Sequence, residues 1–320
     1  MTAGTTVDRI NQYGSHAKKL WQLGQNILDS RNKSREVWGS ALTSLFNFVD
    51  QTAPAQNVLE QLSKDKRQEV REVAAYLIRC LWQYWKVIPY QTESRRAYDA
   101  HIHAHAKSLR WTIPIIKSLL KDRAIKPLDE ALYIIWEMEN APKQSMNQLK
   151  ILALRHTHHA SPDIRYSLVR TLYCYYPTDK QSQYILDDAL MFYIDSTYDS
   201  CEKVRDWACF ELWLSIANLN EEVAKAFQDA INRESPISDV YAEAVIGAAR
   251  LGLNRERIDA IICDNLDEKD FGTAWIDAVE QSGSGKCLES LVKAYSKILK
   301  ADSKDYRLEA IENAFEDWNI

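Results

Sequence analysis

Three histidines stand close together in the stretch HIHAHAKSLRW, which covers residues 101–111. If this stretch is helical, His101 and His105 share one face, because residues four positions apart on a helix are neighbours. Two such imidazoles can hold a zinc ion when a third ligand and an open position are present. The zinc-protease motif places a glutamate directly after the first histidine, and Ile102 occupies that position. His101 and His105 are therefore weak metal candidates, and we expect neither a bound metal nor a cofactor.

A second stretch, QSGSGKCLES (281–290), matches a phosphate-binding loop only in part. That loop requires a glycine five positions before Gly285, where Glu280 stands, and a Ser or Thr in place of Cys287. The glycines are better explained as the end of one helix before the next begins. No Ser-His-Asp or Cys-His arrangement can be assembled from the spacing of the residues, so no catalytic residue is predicted.

The composition indicates helices in an intracellular setting. Nine glycines and eight prolines in 320 residues are too few for the turns of a β-rich protein, and Leu, Ala, Glu, Lys and Arg dominate long stretches. No apolar run reaches the 18 or more residues of a membrane-spanning helix, and the first residues lack the apolar core of a secretory signal. Six cysteines without a Cys-x-x-Cys pair are typical of reduced thiols. We expect a cytoplasmic protein without membrane contact that is a monomer when free.

Apolar residues return at every fourth position in several stretches. In CEKVRDWACFEL, Val204, Ala208 and Leu212 lie on one face of a predicted helix. Equivalent stretches begin at Val70, Ile164, Val240, Phe271 and Tyr306. From Ile164 onward, successive starts are separated by 31 to 40 residues, and another helical pattern and a polar turn precede each start. This period is typical of stacked helix pairs.

The pattern resembles the HEAT repeat family, in which Val-Arg-x-x-Ala-x-x-x-Leu on the second helix follows a short Asp- or Pro-containing turn. The stretch KDKRQEVREVAAYLI (64–78) matches best, and SPDIRYSLVRTL and CEKVRDWACFEL follow closely. The resemblance implies an all-α fold: an α-solenoid, or right-handed superhelix, of stacked HEAT-like helix pairs. We expect a helical N-terminal cap in 1–53, divergent helical repeats in 54–160 and well-matched repeats in 161–320, as one continuous solenoid.

The arginine of each Val-Arg pair is positioned to reach back to a carboxylate in the turn. We predict that it ties one repeat to the next. Tyr241 and Gly272 stand where this arginine would be, so the series of ties is expected to be interrupted there.

The charge of the chain is divided unevenly. Residues 1–160 carry 23 Lys+Arg and 15 Asp+Glu, a net charge of +8, whereas residues 161–320 carry 17 and 30, a net charge of −13. The family resemblance places the Val-Arg helices on the concave, partner-binding side. The predicted binding residues on that side are Tyr166, Arg170, Asp206, Trp207 and Glu243. This acidic and aromatic surface suits a basic protein partner, because complementary charge speeds association.

Three classes of function follow. We favour a non-catalytic protein-binding scaffold; its repeat type and size are similar to those of immunity proteins that block toxins, which implies an inhibitor of a basic partner. A HEAT-like DNA-binding protein or alkylpurine DNA glycosylase is the first alternative, less favoured because the acidic repeats repel phosphates. It would use the basic run Lys107, Arg110, Lys117, Lys121 and Arg123. The second alternative is a bilin-lyase-like scaffold that holds a small ligand.

Aromatic side chains are the remaining candidates for partner contacts. Among the ten tryptophans, most are expected to lie in the core, at helical spacing. Trp85, together with Tyr84 and Tyr90, is the candidate exposed anchor, because aromatic residues dominate the energetics of interfaces.

Overall fold

A computed structural model describes residues 3–84, 95–138, 141, 143–172, 189–215, 220–302 and 304–318. These residues form helices and turns, and no strand occurs among them. The described residues up to Leu172 belong to one compact unit and those from 189 onward to a second. The predicted all-α class is confirmed.

The first unit contains ten helices among its described residues. They are α1 (Ala3–Asn11), α2 (Ser15–Ser30), α3 (Arg35–Asp50), α4 (Ala53–Ser63), α5 (Gln68–Gln83), α6 (Arg95–Ser108), α7 (Ile113–Leu119), α8 (Ile125–Glu137), α9 (Lys143–Ala153) and α10 (Pro162–Thr171). Short 3-10 turns precede α7 and follow α9.

The second unit continues the alternation of helix and turn. Its described helices are α11 (189–196), α12 (Glu202–Ser215), α13 (Glu221–Arg233), α14 (Asp239–Arg250), α15 (Arg255–Asp267), α16 (Ala274–Ser282), α17 (Gly285–Ala301) and α18 (Tyr306–Asp317). None of the described helices combines the length and the apolar character that crossing a membrane requires.

Each repeat is a pair of helices, here called A and B, and the B helices of one unit pack side by side. In the first unit α5 packs on α8 and α8 on α10; in the second, α12 packs on α14, α14 on α16 and α16 on α18. The predicted apolar stripe is confirmed: Val204, Ala208 and Leu212 are all buried. Fully buried alanines, Ala74 and Ala244 among them, lie in the middle of B helices, where the small side chain lets neighbouring helices approach.

The region that looked divergent in sequence contains a regular pair. Helices α7 and α8 pack together, and α8 lies between α5 and α10. The Val-Arg position of α8, four residues before the fully buried Ala131, is occupied by Pro127 and Leu128, which explains why the pattern was hard to detect. Lys126 lies on the helix surface, and its Nζ is 3.4 Å from a carboxylate oxygen of Glu72 on α5.

The arginine after the first apolar residue ties neighbouring repeats, but it reaches forward to a carboxylate of the following repeat, not back to one in the preceding turn. Arg71 donates from Nη2 to Asp122 Oδ1 (2.9 Å), and Arg205 donates from Nε and Nη2 to the two carboxylate oxygens of Glu234 (2.8 and 3.0 Å). Nη1 of each arginine also donates to a backbone carbonyl of its own turn, at 2.8 and 2.9 Å. The arginine therefore bonds its own turn through carbonyls and the next repeat through a carboxylate.

The contacts between repeats differ at Tyr241 and Gly272, the two positions where the sequence predicts an interruption. Tyr241 is buried, with its ring centroid 6.3 Å from that of Trp275, so aromatic packing replaces the ion pair. Gly272 lies ahead of α16 and outside it. Arg307 on α18 reaches back instead and donates to the carbonyl of Lys269 in the preceding repeat (2.8 Å).

Glu234→Ala tests the tie. The side chains of Arg205 and Glu234 are only 17% and 8% exposed, so truncating the glutamate leaves a mostly buried guanidinium without its carboxylate acceptor. We expect the free energy of unfolding to fall by about 1.5 kcal/mol, measured by urea denaturation. The control is Asp267→Ala, which removes an ion pair with Lys297 whose partners are 71% and 64% exposed and should change little. Equal effects of the two substitutions would contradict the assignment.

Candidate functional site

Acidic and aromatic side chains gather on the B helices of the second unit. We call this surface the acidic face; its members are Asp206, Trp207, Phe210 and Trp213 on α12, Glu243 on α14 and Asp277 on α16. Helix α14 packs against both α12 and α16, which brings these side chains together. Three of the predicted binding residues therefore share one surface.

The aromatic part of the acidic face is an edge-to-face row along α12. The ring of Phe210 lies 5.4 Å from that of Trp207 and 5.5 Å from that of Trp213, with interplanar angles of 73° and 88°. The indole Nε1 of Trp213 donates a hydrogen bond to the carboxylate of Glu243. This bond fixes the glutamate on α14 against the row on α12.

The carboxyl groups of the acidic face have pKa values above their ordinary ones. Burial, with the neighbouring Asp239 carboxylate adding to it, raises the pKa of Asp206 to about 6. Burial also raises the pKa of Glu243 to about 7, and the charge of Asp206 contributes to that shift. The pKa of Asp277 is raised by burial as well. Among the described residues no cation forms an ion pair with Asp206, Glu243 or Asp277, so the repulsion is not compensated within the described surface.

Asp206→Asn and Glu243→Gln should stabilise the protein at alkaline pH. Both carboxyls have a pKa that is higher in the folded than in the unfolded state, so folding loses stability as the pH rises from about 4 to about 6 for Asp206 and to about 7 for Glu243. We expect each amide to raise the free energy of unfolding by about 1 kcal/mol at pH 8, a value reduced for solvent screening, and by nothing at pH 4. Urea denaturation at both pH values measures the difference. Glu289→Gln, an exposed position on α17, is the control.

The other two predicted binding residues, Tyr166 and Arg170, lie on α10 in the first unit. Arg170 donates from Nη1 to the hydroxyl of Tyr133 (2.8 Å), and its guanidinium lies 4.3 Å from the ring centroid of Trp136 and 5.6 Å from that of Tyr166. The five residues predicted as one face are thus divided between two units.

Arg170 is the end of an alternating series of arginines and aromatic rings. We call this series the arginine–aromatic ladder; its members are Arg31, Tyr76, Arg79, Tyr133, Trp136, Tyr166 and Arg170. The guanidinium of Arg79 lies between the rings of Tyr76 and Tyr133, 5.4 Å from each centroid, and its Nη1 is 2.9 Å from Glu130 Oε2. Burial raises the pKa of Glu130.

Sequence reasoning missed most of this ladder. An arginine is ordinarily exposed, so the apolar period gave no reason to expect Arg79 inside. A usable signal was the i, i+3 spacing of Tyr76 with Arg79 and of Tyr133 with Trp136. An open cavity of about 360 Å³ adjoins the ladder between α2 and α5. Its lining includes Trp21, Leu28, Arg31, Val73, Tyr76, Arg79 and Glu130.

The structure places the two histidine candidates on α6 in different surroundings. His101 is exposed, whereas His105 is buried beside the rings of Phe46 and Tyr84, at centroid distances of 5.0 and 5.3 Å. Burial lowers the pKa of His105 to about 4, so this imidazole is neutral at physiological pH. In the described parts of the chain, no three His, Cys, Asp or Glu side chains are grouped as a metal would require.

Among the described residues the most exposed tryptophan is Trp136, which was not one of the predicted anchors. Tyr84 is half-buried and stacks on Phe46, with ring centroids 4.5 Å apart and planes at 7°. Trp85 and Tyr90 lie outside the described residues. Trp136 of the arginine–aromatic ladder is 40% exposed, the largest exposed fraction of any tryptophan described.

The predicted basic run lies away from the B helices. Its residues lie on α6, on the 3-10 turn, on α7 and in the turn before α8: Lys107, Arg110, Lys117, Lys121 and Arg123. Lys117 is half-buried and donates to Gln148 Oε1 on α9 (2.6 Å), and the other four side chains are exposed. These cations therefore mark the A helices and turns rather than a groove along the B helices.

Comparison with known proteins gives matches in structure only. No protein-family model and no curated protein matches the sequence. YibA of Escherichia coli is 12% identical and superposes with a TM-score of 0.54 over 95% of this chain and 96% of that one.

Two further solved structures are more distant. A HEAT-like repeats protein from Thermococcus onnurineus is 11% identical, with a TM-score of 0.46 over 85% of this chain and 98% of that one. A designed armadillo repeat protein, solved in complex with the peptide (KR)4, is 15% identical, with a TM-score of 0.43 over 84% and 99%. The helix pairs, the arginine ties and the match to YibA agree on one conclusion. The chain has the fold of a HEAT-like repeat protein.

Proposed function

We propose that this protein is a non-catalytic scaffold that binds a positively charged segment of a partner protein on the acidic face. The observation that carries the proposal is a group of carboxylates that lack a cationic partner among the described residues: Asp206 and Glu243, which are half-buried, and Asp277, which is exposed. Holding such groups close together is unfavourable unless something compensates their charge. A lysine or arginine from a partner would do so.

The aromatic row would add apolar contacts to the charge attraction of the carboxylates. The half-buried ring of Trp213, packed edge-to-face against Phe210, lies beside the Glu243 carboxylate and adds an apolar surface to the acidic face. Lys and Arg side chains bury their alkyl stems on such surfaces, and their charged ends gain from the electron-rich rings. A basic segment therefore fits this surface better than a neutral or an acidic one.

An immunity-type inhibitor is the specific form of scaffold that the resemblance favours. Such an inhibitor would cover a basic surface of a toxin and compete with the substrate of the toxin. The acidic face supports the charge of that partner, and it would place Asp206 and Glu243 at the centre of the interface.

The test uses a labelled (KR)4 peptide and fluorescence anisotropy at pH 8 and at pH 5. We expect binding at pH 8 and an affinity at least tenfold lower at pH 5, because Asp206 and Glu243 are then protonated. The double variant Asp206→Asn, Glu243→Gln should lose about tenfold in affinity at pH 8, and an acidic peptide of equal length should not bind.

Glu289→Gln provides the matched control, because it removes a charge from an exposed position on an A helix of the same unit. Its affinity for the peptide should remain that of the parent. If the control and the double variant weaken binding equally, the attraction is a general effect of net charge and the acidic face is not the site. No binding to the parent at pH 8 and low salt would overturn the proposal.

A further inference from the structure

Two cysteines from neighbouring A helices face each other in the second unit. Cys263 on α15 and Cys287 on α17 have their Sγ atoms 4.0 Å apart. Cys263 is partly exposed, and Cys287 is fully buried. Both are free thiols. An oxidant in solution can therefore reach one sulfur of the pair directly and the other only through the first.

The helix interface already orients both thiols toward each other. Cys263 Sγ is 3.9 Å from the carbonyl of Lys286, the residue before Cys287, and Cys287 Sγ is 3.7 Å from the carbonyl of Asp259, one turn before Cys263. Each sulfur thus lies over the backbone of the opposite helix. A disulfide has an S–S distance of about 2.05 Å, so bond formation requires the sulfurs to approach by about 2 Å, within reach of side-chain rotation and a small helix shift.

We infer that Cys263 and Cys287 form a reversible disulfide when the protein meets hydrogen peroxide. In the first step the Cys263 thiolate attacks the peroxide, its S–O bond forms as the O–O bond breaks, and Cys263 becomes a sulfenic acid while hydroxide leaves and is protonated to water. In the second step the Cys287 sulfur attacks that of Cys263, the S–O bond breaks, and the proton of Cys287 leaves with the hydroxide as water. The two thiols lose two electrons in total, and the peroxide is reduced to two waters.

The order of attack follows from the surroundings of each thiol. Burial raises the pKa of Cys287 to about 11, which keeps it protonated and protected from the oxidant. Cys80 and Cys209 are also buried, and burial raises the pKa of both, so they should not compete. Cys201 is partly exposed but has no cysteine near it among the described residues.

The disulfide would close a loop that contains one complete helix. The chain between Cys263 and Cys287 contains all of α16, the helix that carries Asp277 of the acidic face. Closing a loop of this length removes conformational freedom from the unfolded chain and so stabilises the folded one. The disulfide would therefore stabilise this repeat against unfolding.

The experiment treats the purified full chain with hydrogen peroxide and maps its cysteines by mass spectrometry after alkylation. We expect one intramolecular Cys263–Cys287 disulfide, a mass loss of 2 Da relative to the fully reduced protein, full reversal by dithiothreitol and a rise in Tm of about 5–10 °C. Cys263→Ser should abolish both the mass loss and the shift in Tm, whereas Cys201→Ser should behave like the parent.

Two results would overturn the inference. One is oxidation of Cys263 to a sulfinic acid while Cys287 stays reduced. The other is a disulfide that links two chains. Cys287 is fully buried, so Cys287→Ser would disturb packing, and the test therefore uses Cys263→Ser. Circular dichroism of the reduced variant checks that it folds.

Discussion

Gly247→Ala should lower the free energy of unfolding of the second unit by about 2 to 3 kcal/mol, although alanine ordinarily stabilises a helix relative to glycine. Gly247 lies in the last turn of α14, and a Cβ added there would lie 2.3 Å from Cζ of Phe227. Phe227 is fully buried on α13, so its ring has no open space to move into. The overlap outweighs the gain in helix propensity of about 1 kcal/mol.

Urea denaturation of matched variants checks this result. Gly285→Ala is the control, because a Cβ at Gly285 meets no atom within 4 Å and should leave stability unchanged or slightly higher. Adding Phe227→Leu to Gly247→Ala should recover part of the loss, since the smaller side chain makes room for the methyl group. A Gly247→Ala variant as stable as the parent would show that α13 and α14 are not in this close contact.

Arg79→Leu should destabilise the first unit by about 3 kcal/mol. Arg79 has a side chain that is only 10% exposed; it pairs with Glu130 and is stacked between Tyr76 and Tyr133. Removing one partner of a buried ion pair leaves the other charge uncompensated, which costs more than the pair itself contributes. The same substitution also removes the cation–π contact between Arg79 and Tyr133 that joins α5 to α8.

The companion variant is Arg79→Leu, Glu130→Leu. Because it removes both charges and keeps apolar volume in their place, it should regain more than half of the stability lost by the single variant. Thermal unfolding followed by circular dichroism gives the comparison, and Lys64→Ala, at an exposed pair with Glu60, should have almost no effect. A double variant less stable than the single one would mean that Arg79 and Glu130 stabilise the unit by separate contacts.

Much of the fold could be predicted from the sequence because a repeat returns the same residue to the same environment. The apolar period correctly predicted the B helices α5, α10, α12 and α14, although it missed α8. Helix α16 begins later than the period suggests: Phe271 is buried as predicted but precedes the helix, because Gly272 follows it.

Contacts between helices of different repeats could not be predicted in the same way. Arg170 and Tyr133 are 37 residues apart, and their hydrogen bond depends on how far α10 is displaced along α8. The proximity of Cys263 and Cys287 depends likewise on the packing of α15 against α17. A periodic pattern shows which face of a helix is buried, but it does not determine the axial position of one helix against the next.

The arginine ties also define which segments of this chain can be exchanged in protein engineering. A repeat inserted after α12 must bring a carboxylate in its own turn, because Arg205 will need the acceptor that Glu234 now provides. A repeat inserted after α14 meets no such demand, since Tyr241 stands where the donor would be and makes its contact through an aromatic ring. The junction after α14 is therefore the more permissive place to lengthen the protein, with apolar fit as the main requirement.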